Sequence, residues 1–309
     1  MRTRLAPSPT GALHLGNART FLLGWLWART RGAEVVLRVE DLDGPRVRKG
    51  AVEEALADLR WLGLDWDGEV LLQSTRAPQH EDALLRLRAA GRVYPCSCSR
   101  TEAAAAASAP NEGDEGPAYP GTCRGRWATP EAAEAATGRP PAWRFQVPDG
   151  IVPYDDEVKG RVERSPLRDQ GDFVVAKRTG EAAYQLAVVV DDAFQGVTHV
   201  IRGDDLVPST PRQLLLYEAL GLPAPRFAHL PLVRGQDGRR LAKRHGDTRL
   251  STYRKAGVPP ELIVGLLAGW SGLGHGPRSA RALVAGGLDW SVVPAQDVVF
   301  GPEAAARLR

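Results

Sequence analysis

The sequence is poor in the features that mark exported, membrane-spanning or disulfide-stabilised proteins. Its longest apolar run, FLLGWLWA at residues 21–28, is far shorter than the ~18–20 residues that cross a bilayer. Its 3 cysteines cannot form a closed set of disulfides. Pro7 and Pro9 fall where a signal peptide would need its apolar stretch. We therefore expect no export, no membrane partner and a cytoplasmic location.

An excess of charge of one sign is also missing. The chain has 40 Lys+Arg against 37 Asp+Glu, a net charge of +3, which permits a nucleic-acid partner without indicating one. Its hydrophobic fraction of 43% and charged fraction of 25% are typical of a globular protein and exclude wholesale disorder. With 309 residues, about two domains are expected.

The hydrophobic pattern predicts an α/β fold. A short strand over residues 2–6, a helix from about residue 16 to residue 31 and a strand over residues 34–39 form a βαβ unit. Further helices are predicted over residues 51–62, 78–90, 211–220 and 261–270, and further strands over residues 184–190 and 198–201. Residues 99–118 are of low complexity and interrupt the cysteines, which indicates an insertion. We expect residues 1–92 and 177–235 to form two halves of one sheet, residues 93–176 to form an inserted domain, and residues 236–309 to be mainly helical.

A strand-to-helix connection, PSPTGALHLGN at residues 7–17, carries the first chemical signal. Its prolines exclude a helix there, and the helix pattern begins beside Gly16. The amino end of a helix offers unpaired N–H groups and a positive dipole, which suit a phosphate. His14 adds a hydrogen-bond donor, and Gly16 allows a nucleotide to approach the backbone. A turn with a surface histidine is the alternative.

A basic loop, RLAKR at residues 240–244, follows a glycine-rich turn. Such a loop can neutralise charge that develops on a polyphosphate. A solvated basic face is the alternative.

The cysteines are clustered as Cys96-x-Cys98 and Cys123. Three thiolates are good Zn²⁺ ligands, but no histidine lies nearby to complete a tetrahedron. Zinc binding and unligated thiols both remain open on this spacing.

Together, His14–Asn17 and residues 240–244 resemble the two signatures of the class I aminoacyl-tRNA synthetases. RVEDLD at residues 38–43, residues 184–192 and IRGDDL at residues 201–206 resemble further blocks of the glutamyl-tRNA synthetase catalytic domain, in the same order. The resemblance extends from residue 1 to about residue 245. It implies a Rossmann-type parallel sheet with a zinc-bearing insertion and a short helical C-terminal segment. Arg240 and Ala242 depart from the commonest residues of the second signature, lysine and serine.

The resemblance also implies roles for single residues. The catalytic residues would be His14, Gly16 and Lys243. ATP, bound with Mg²⁺, would also contact Asn17 and Arg240. The glutamate pocket would be formed by Arg4, Leu5, Ala6, Pro7, Ser8, Glu40, Tyr184 and Arg202.

Within that pocket, arginines suit the two carboxylates of glutamate, and Glu40 suits its ammonium group. A strand-end ion pair of Arg4 with Glu40, and a core position for Tyr184, are the alternatives. One structural Zn²⁺ would be held by Cys96, Cys98, Tyr119 and Cys123.

Residues 244–309 are too few for the helical anticodon-binding domain that ordinary glutamyl-tRNA synthetases carry there. We therefore expect the glutamyl-queuosine tRNA(Asp) synthetase type. Its members activate L-glutamate with ATP and attach it to the queuosine base in the anticodon of tRNA(Asp). The rival hypotheses are a minimal enzyme that charges the 3′ end of tRNA(Glu), and an inactive paralogue that binds tRNA. We expect a monomer, with Arg124, Arg126, Arg249 and Arg254 as candidate phosphate contacts or, equally, solvated surface.

Overall fold

The computed structural model describes residues 1–42, 47–105, 118–239, 241, 248–301 and 308. Its first elements are β1 (Arg2–Leu5), α1 (Leu15–Thr30) and β2 (Glu34–Val39). The two strands pair in parallel, with Arg4 opposite Val36. This is the predicted βαβ unit.

The other helices and strands follow in chain order: α2 (Ala51–Trp61), β3 (Leu71–Leu72), α3 (Ala77–Ala89), β4 (Val93–Cys96), α4 (Arg100–Ala105), α5 (Pro130–Thr137), β5 (Ala142–Phe145), β6 (Val152–Asp156), β7 (Gly160–Arg164), α6 (Pro166–Asp169), β8 (Phe173–Ala176), α7 (Tyr184–Phe194), β9 (His199–Gly203), α8 (Ser209–Leu220), β10 (Arg226–Leu230), β11 (Val233–Gly235), α9 (Leu250–Lys255), α10 (Pro260–Trp270), α11 (Ala280–Val284) and β12 (Val298–Phe300). Short 3₁₀ helices lie at Gln73–Arg76, Asp204–Leu206 and Trp290–Val292.

The site is positioned by parallel strands that meet near β1. Strands β1, β2 and β3 pair in parallel, and so do β9 and β10. The two groups adjoin, because the Thr198 backbone N–H donates to the Arg2 carbonyl at 2.9 Å. The β6–β7 hairpin extends the second group, with β6 parallel to β10. The carboxyl ends of β1 and β9 therefore lie side by side.

Three strands of residues 93–176 form a separate sheet, whereas β6 and β7 of the same stretch join β10. Strands β4, β5 and β8 pair antiparallel, in the order β4-β5-β8. Residues 106–117, most of the low-complexity stretch, lie outside the described residues. The division into domains stays a prediction.

The strand predicted over residues 184–190 is wrong, because these residues begin helix α7. Leu186, Ala187, Val188 and Val189 are all at most 1% exposed. When every residue of a segment is buried, the hydrophobic pattern does not distinguish a strand from a helix. The valines of this segment favoured the strand, because β-branched residues are common in strands. Packing of α7 in one apolar core with residues of α3, α8 and β8 decides the conformation.

A second apolar core forms around α1. Leu22, Leu23 and Leu26 pack there with Ile263 and Leu267 of α10. The predicted helices over residues 51–62, 78–90, 211–220 and 261–270 are all present, within two residues at each end. Within the ranges described, the structure has no helix both long and apolar enough to span a membrane.

Candidate active site

A cavity of about 350 Å³ lies where the carboxyl ends of β1 and β9 face the amino end of α1. Such a crevice is where open parallel sheets bind ligands. Ten of the predicted site residues line it: Arg4, Ala6, Pro7, Ser8, His14, Gly16, Asn17, Glu40, Tyr184 and Arg202. Leu5 is not brought to it, since its side chain is buried in the core around α1. Arg240, Ala242, Lys243 and Arg244 lie outside the described residues.

His14 caps helix α1. Its Nδ1 accepts hydrogen bonds from the backbone N–H groups of Gly16 at 3.1 Å and Asn17 at 3.4 Å. The Asn17 side chain accepts in return from the His14 N–H at 3.4 Å. Because Nδ1 is the acceptor, Nε2 carries the proton of the neutral ring. The backbone N–H groups of Gly16 and Asn17, which were expected to be free for a phosphate, are therefore used by the cap. The donor that the ring itself offers is its Nε2–H.

The His14 ring lies close to the backbone of Gly16 and leaves little room for a side chain there. A Cβ at this position would lie 3.0 Å from the His14 Cε1 and 3.1 Å from its Nδ1, closer than ordinary van der Waals contact. The space expected for a nucleotide is thus partly filled by the capping imidazole. An alanine at position 16 would require that ring to shift by a few tenths of an ångström.

Arg4, which lines the cavity, and the fully buried Arg38 share one carboxylate. The Arg38 Nη1 donates to the Asp192 Oδ1 at 2.6 Å, and the Arg4 Nε lies 3.5 Å from the same oxygen. Glu40 accepts from the Arg38 Nη2 at 3.2 Å, so the ion pair of Glu40 is with Arg38 rather than with Arg4. Burial raises the pKa of Glu40, although Arg38 and Arg4 act in the opposite direction. Arg38 and Asp192 were not predicted as site residues, although both fall within the sequence blocks that predicted Glu40 and Tyr184.

Arg202 is held without a carboxylate. It is 4% exposed, and its guanidinium donates to the His229 Nε2 at 3.0 Å, the Gln213 Oε1 at 2.9 Å and the Thr210 Oγ1 at 2.7 Å. In the part of the chain that the structure describes, no acidic side chain lies within ion-pair distance of it. Burial lowers its pKa, with a further lowering from the nearby Arg4. A buried, unpaired cation beside a cavity favours an anionic ligand.

The cysteines gather into one cluster with a tyrosine. The Sγ atoms of Cys96, Cys98 and Cys123 lie within 4.8 Å of one another, and the Tyr119 hydroxyl lies 3.4 Å from Cys96 and 3.6 Å from Cys98. In a tetrahedral site with Zn–S bonds of ~2.3 Å, the sulfurs stand about 3.8 Å apart. The Cys98–Cys123 separation of 3.4 Å is close to that value. The three cysteines could therefore hold a metal ion, and Tyr119 lies within reach of the same position.

The surroundings of the cluster act differently on its cysteines. The Arg144 Nε lies 3.3 Å from the Cys96 Sγ, and its guanidinium stacks over the Tyr119 ring at 3.7 Å. Burial alone would raise the pKa of Cys123, but hydrogen bonds with Tyr119 and Cys98 lower it to about 6. Burial raises the pKa of Cys98 to about 11. A cation beside the sulfurs offsets the charge of a three-thiolate site.

The four arginines proposed for RNA contact differ in what holds them. Arg124 pairs with the buried Asp172, and the Arg254 Nε donates to Asp58, which is 0% exposed, at 2.8 Å. Arg126 is exposed and stacks over the Trp127 ring at 4.6 Å. Arg249 is exposed, and its backbone forms a β-bridge with His14 at the cavity.

The parallel sheet, the cavity at its carboxyl edge and the capped helix below it define a class I aminoacyl-tRNA synthetase catalytic domain. Residues 1–285 match the family model "tRNA synthetases class I (E and Q), catalytic domain". The chain belongs to this family.

Among the relatives, the chain is 53% identical over 287 residues to "Glutamyl-Q tRNA(Asp) synthetase" of Symbiobacterium thermophilum, covering 90% of this chain and 88% of that protein. It is 44% identical over 319 residues to the protein of that name from Nitratidesulfovibrio vulgaris, covering 100% and 98%. "Glutamate--tRNA ligase" of Geobacter sulfurreducens is 43% identical over 274 residues, and only 57% of its length is covered. The crystal structure of the glutamate-tRNA synthetase from Elizabethkingia anophelis superposes with a TM-score of 0.81 at 29% identity, covering 100% of this chain and 69% of that one.

Proposed function

We propose that this chain activates L-glutamate with ATP and transfers it to the queuosine base of tRNA(Asp). The observation that carries the proposal is the cavity in which Arg4 and Arg202 face the capped amino end of α1. The names of the relatives that match over most of their length support the acceptor. Charging of the tRNA(Glu) 3′ end is not favoured, because the glutamate–tRNA ligase of Geobacter sulfurreducens is 43% identical to this chain, against 53% for the glutamyl-Q tRNA(Asp) synthetase of Symbiobacterium thermophilum.

In the first step, a glutamate α-carboxylate oxygen attacks the α-phosphorus of ATP, and pyrophosphate leaves. Arg4 and Arg202 would hold the two carboxylates by charge-assisted hydrogen bonds, and Glu40 would pair with the ammonium group. The His14 Nε2–H would donate to a phosphate oxygen, and Mg²⁺ would be held largely by the phosphates. Catalysis then rests on positioning and on charge stabilisation. The roles of Arg240 and Lys243, which lie outside the described residues, stay predictions.

In the second step, a hydroxyl of the cyclopentenediol attacks the activated carbonyl carbon. Its proton is lost, and AMP leaves with the electrons of the acyl–phosphate bond. The Cys96–Cys98–Tyr119–Cys123 cluster would hold one structural Zn²⁺, which stabilises a segment with a small core of its own. The cytoplasmic location and the monomeric state stay predictions.

The test is transfer of radiolabelled glutamate to tRNA(Asp) with and without queuosine, beside tRNA(Glu). We expect label only on the queuosine-containing tRNA(Asp), and loss of that label after periodate pre-treatment, because periodate cleaves the vicinal diol. Label on tRNA(Glu) instead would establish the 3′-charging alternative. Absence of both transfer and ATP–pyrophosphate exchange would establish an inactive paralogue.

A further inference from the structure

A row of three buried side chains runs across three neighbouring strands towards the cavity. In the order β6-β10-β9, Asp156 lies on β6, His229 on β10 and Arg202 on β9. Arg202 and His229 are direct partners in the parallel ladder. All three are at most 4% exposed, so their hydrogen bonds are shielded from water.

Asp156 fixes the protonation of His229. Its Oδ2 accepts from the His229 Nδ1 at 2.6 Å. Its Oδ1 accepts the backbone N–H groups of Val158 at 3.0 Å, Lys159 at 2.9 Å and His229 at 3.1 Å. A carboxylate that accepts three backbone N–H groups stays ionised, so the His229 Nδ1 that faces it carries the proton.

With its proton on Nδ1, the imidazole presents Nε2 as an acceptor. The Arg202 Nε–H donates to it at 3.0 Å, while Phe227 lies under the guanidinium at 5.2 Å. The opposite tautomer would set two N–H groups against each other. One of the hydrogen bonds that orient Arg202 thus depends on a carboxylate two strands away.

We propose that His229 and Asp156 are positioning residues for substrate recognition: they aim the Arg202 guanidinium at a carboxylate of the amino acid. The inference rests on the proposed function. It also makes the β6–β7 hairpin a part of amino-acid binding. A second contact supports that role, since the Lys159 Nζ at the hairpin turn donates to Asp204, just after β9, at 2.7 Å.

Two substitutions of His229 separate its two hydrogen bonds. In His229→Gln the longer amide can still accept from Arg202, whereas in His229→Asn the amide can reach Asp156 but not Arg202. We measure KM and kcat for glutamate and for ATP in ATP–pyrophosphate exchange, with queuosine-containing tRNA(Asp) present. We expect His229→Asn to raise the KM for glutamate about tenfold or more, as the loss of a charged hydrogen bond predicts. Both kcat and the KM for ATP should change less than threefold, because this binding is uniform through the reaction.

In His229→Gln, the KM for glutamate should stay within about threefold of the wild-type value, on the same free-energy scale. A glutamate KM within twofold in His229→Asn, or equal losses of kcat in both variants, overturns the inference. If His229→Asn does not fold, Asp156→Asn is measured instead. The same rise in the KM for glutamate is expected, and a KM within twofold of wild type overturns the inference. The ¹⁵N shifts of the His229 ring give a readout independent of activity: protonated Nδ1 and unprotonated Nε2 support the inference, and the reverse refutes it. A wild-type enzyme that exchanges no pyrophosphate with glutamate would instead contradict the proposed function.

Discussion

Three arginines near the cavity floor differ in what balances their charge. Arg38 lies between Asp192 and Glu40, and Arg4 is close to Asp192. Arg202 has only neutral acceptors among the described residues. Leaving a buried charge unpaired costs stability, and a bound carboxylate would recover that cost. Of the three arginines, Arg202 is therefore the one whose charge a bound substrate carboxylate would stabilise most.

Gly16 and Gly24 offer a matched pair of substitutions in one helix. Gly16→Ala places a methyl group against the His14 ring, whereas a Cβ at Gly24 meets Ile201 at 3.5 Å, an ordinary contact. We expect Gly16→Ala to lower kcat/KM for ATP in pyrophosphate exchange, since the imidazole must shift and its capping hydrogen bonds weaken. The helix would lose about 1 kcal/mol of capping energy.

Gly24→Ala should keep near wild-type exchange, and its melting temperature should be unchanged or higher, because alanine favours a helix over glycine by about 1 kcal/mol. The measurements are steady-state exchange and thermal unfolding of both variants. Equal activity of the two variants would contradict the role given to the His14 ring.

At the scale of elements, the cysteine cluster joins the end of β4 to the loop before α5. Cys96 and Cys123 are 1% exposed, yet this small cluster holds few apolar side chains. We expect about one zinc per chain in the purified protein, as four ligands in one tetrahedral set imply. Cys98→Ser should lose the metal and lower the melting temperature.

Ser97→Ala is the matched control for the metal site. Its Oγ lies 3.9 Å from the Cys123 Sγ, and it is not one of the four ligands. Elemental analysis of both variants decides the point. Zinc retained by Cys98→Ser, or none in the wild type, would show that the thiols are unligated.

The contact between β6 and β10 should make stability depend on pH. Burial lowers the pKa of His229 to about 4, although Asp156 acts in the opposite direction. The ordinary value, close to that of the unfolded chain, is 6.5. Between these values the unfolded chain binds the proton and the folded protein does not, so the free energy of unfolding falls as pH drops. The contribution of His229 is complete above about pH 6.5 and is lost between there and about pH 4.

Melting temperatures at pH 7.5 and pH 5 test this dependence. We expect a smaller difference between the two in His229→Gln than in wild type, because the variant lacks the titrating group. His275→Gln, at an exposed position, is the control and should match the wild type. An identical pH dependence in all three proteins would mean that His229 is not buried in its neutral form.

At the scale of the whole molecule, the sequence predicted residues that lie inside contiguous motifs and missed those brought in from other strands. His14, Gly16, Glu40 and Arg202 all line one cavity. The side chain of Leu5 packs in the core around α1 instead, because side chains alternate along a strand and Arg4 already faces the cavity. His229 could not have been found, since its contact with Arg202 depends on strand register. The same long-range packing explains why α7 was predicted as a strand.

The arginines expected at the RNA interface separate into structural and exposed positions. Arg254 on α9 neutralises Asp58 on α2, whose side chain is 0% exposed. Burial raises the pKa of Asp58, and the hydrogen bond from Arg254 acts against it. Arg254→Ala should therefore lower the melting temperature by several degrees, since removing one partner leaves a buried charge unpaired. The double variant Asp58→Asn, Arg254→Ala should recover part of that loss.

For Arg126 we expect no loss of stability, in contrast to Arg254. Arg126 is exposed, and in the ranges described no acidic side chain lies within ion-pair distance of it. If it contacts a phosphate, Arg126→Ala should weaken tRNA(Asp) binding, flatten its dependence on salt by about one counterion, and leave the melting temperature unchanged. Filter binding between 50 and 200 mM salt, roughly the range over which phosphate contacts are resolved, measures the slope. Pyrophosphate exchange is the control, since Arg126 does not line the cavity that would bind glutamate and ATP. An unchanged slope in Arg126→Ala would place the anticodon loop elsewhere and leave Arg249, beside His14, as the exposed candidate.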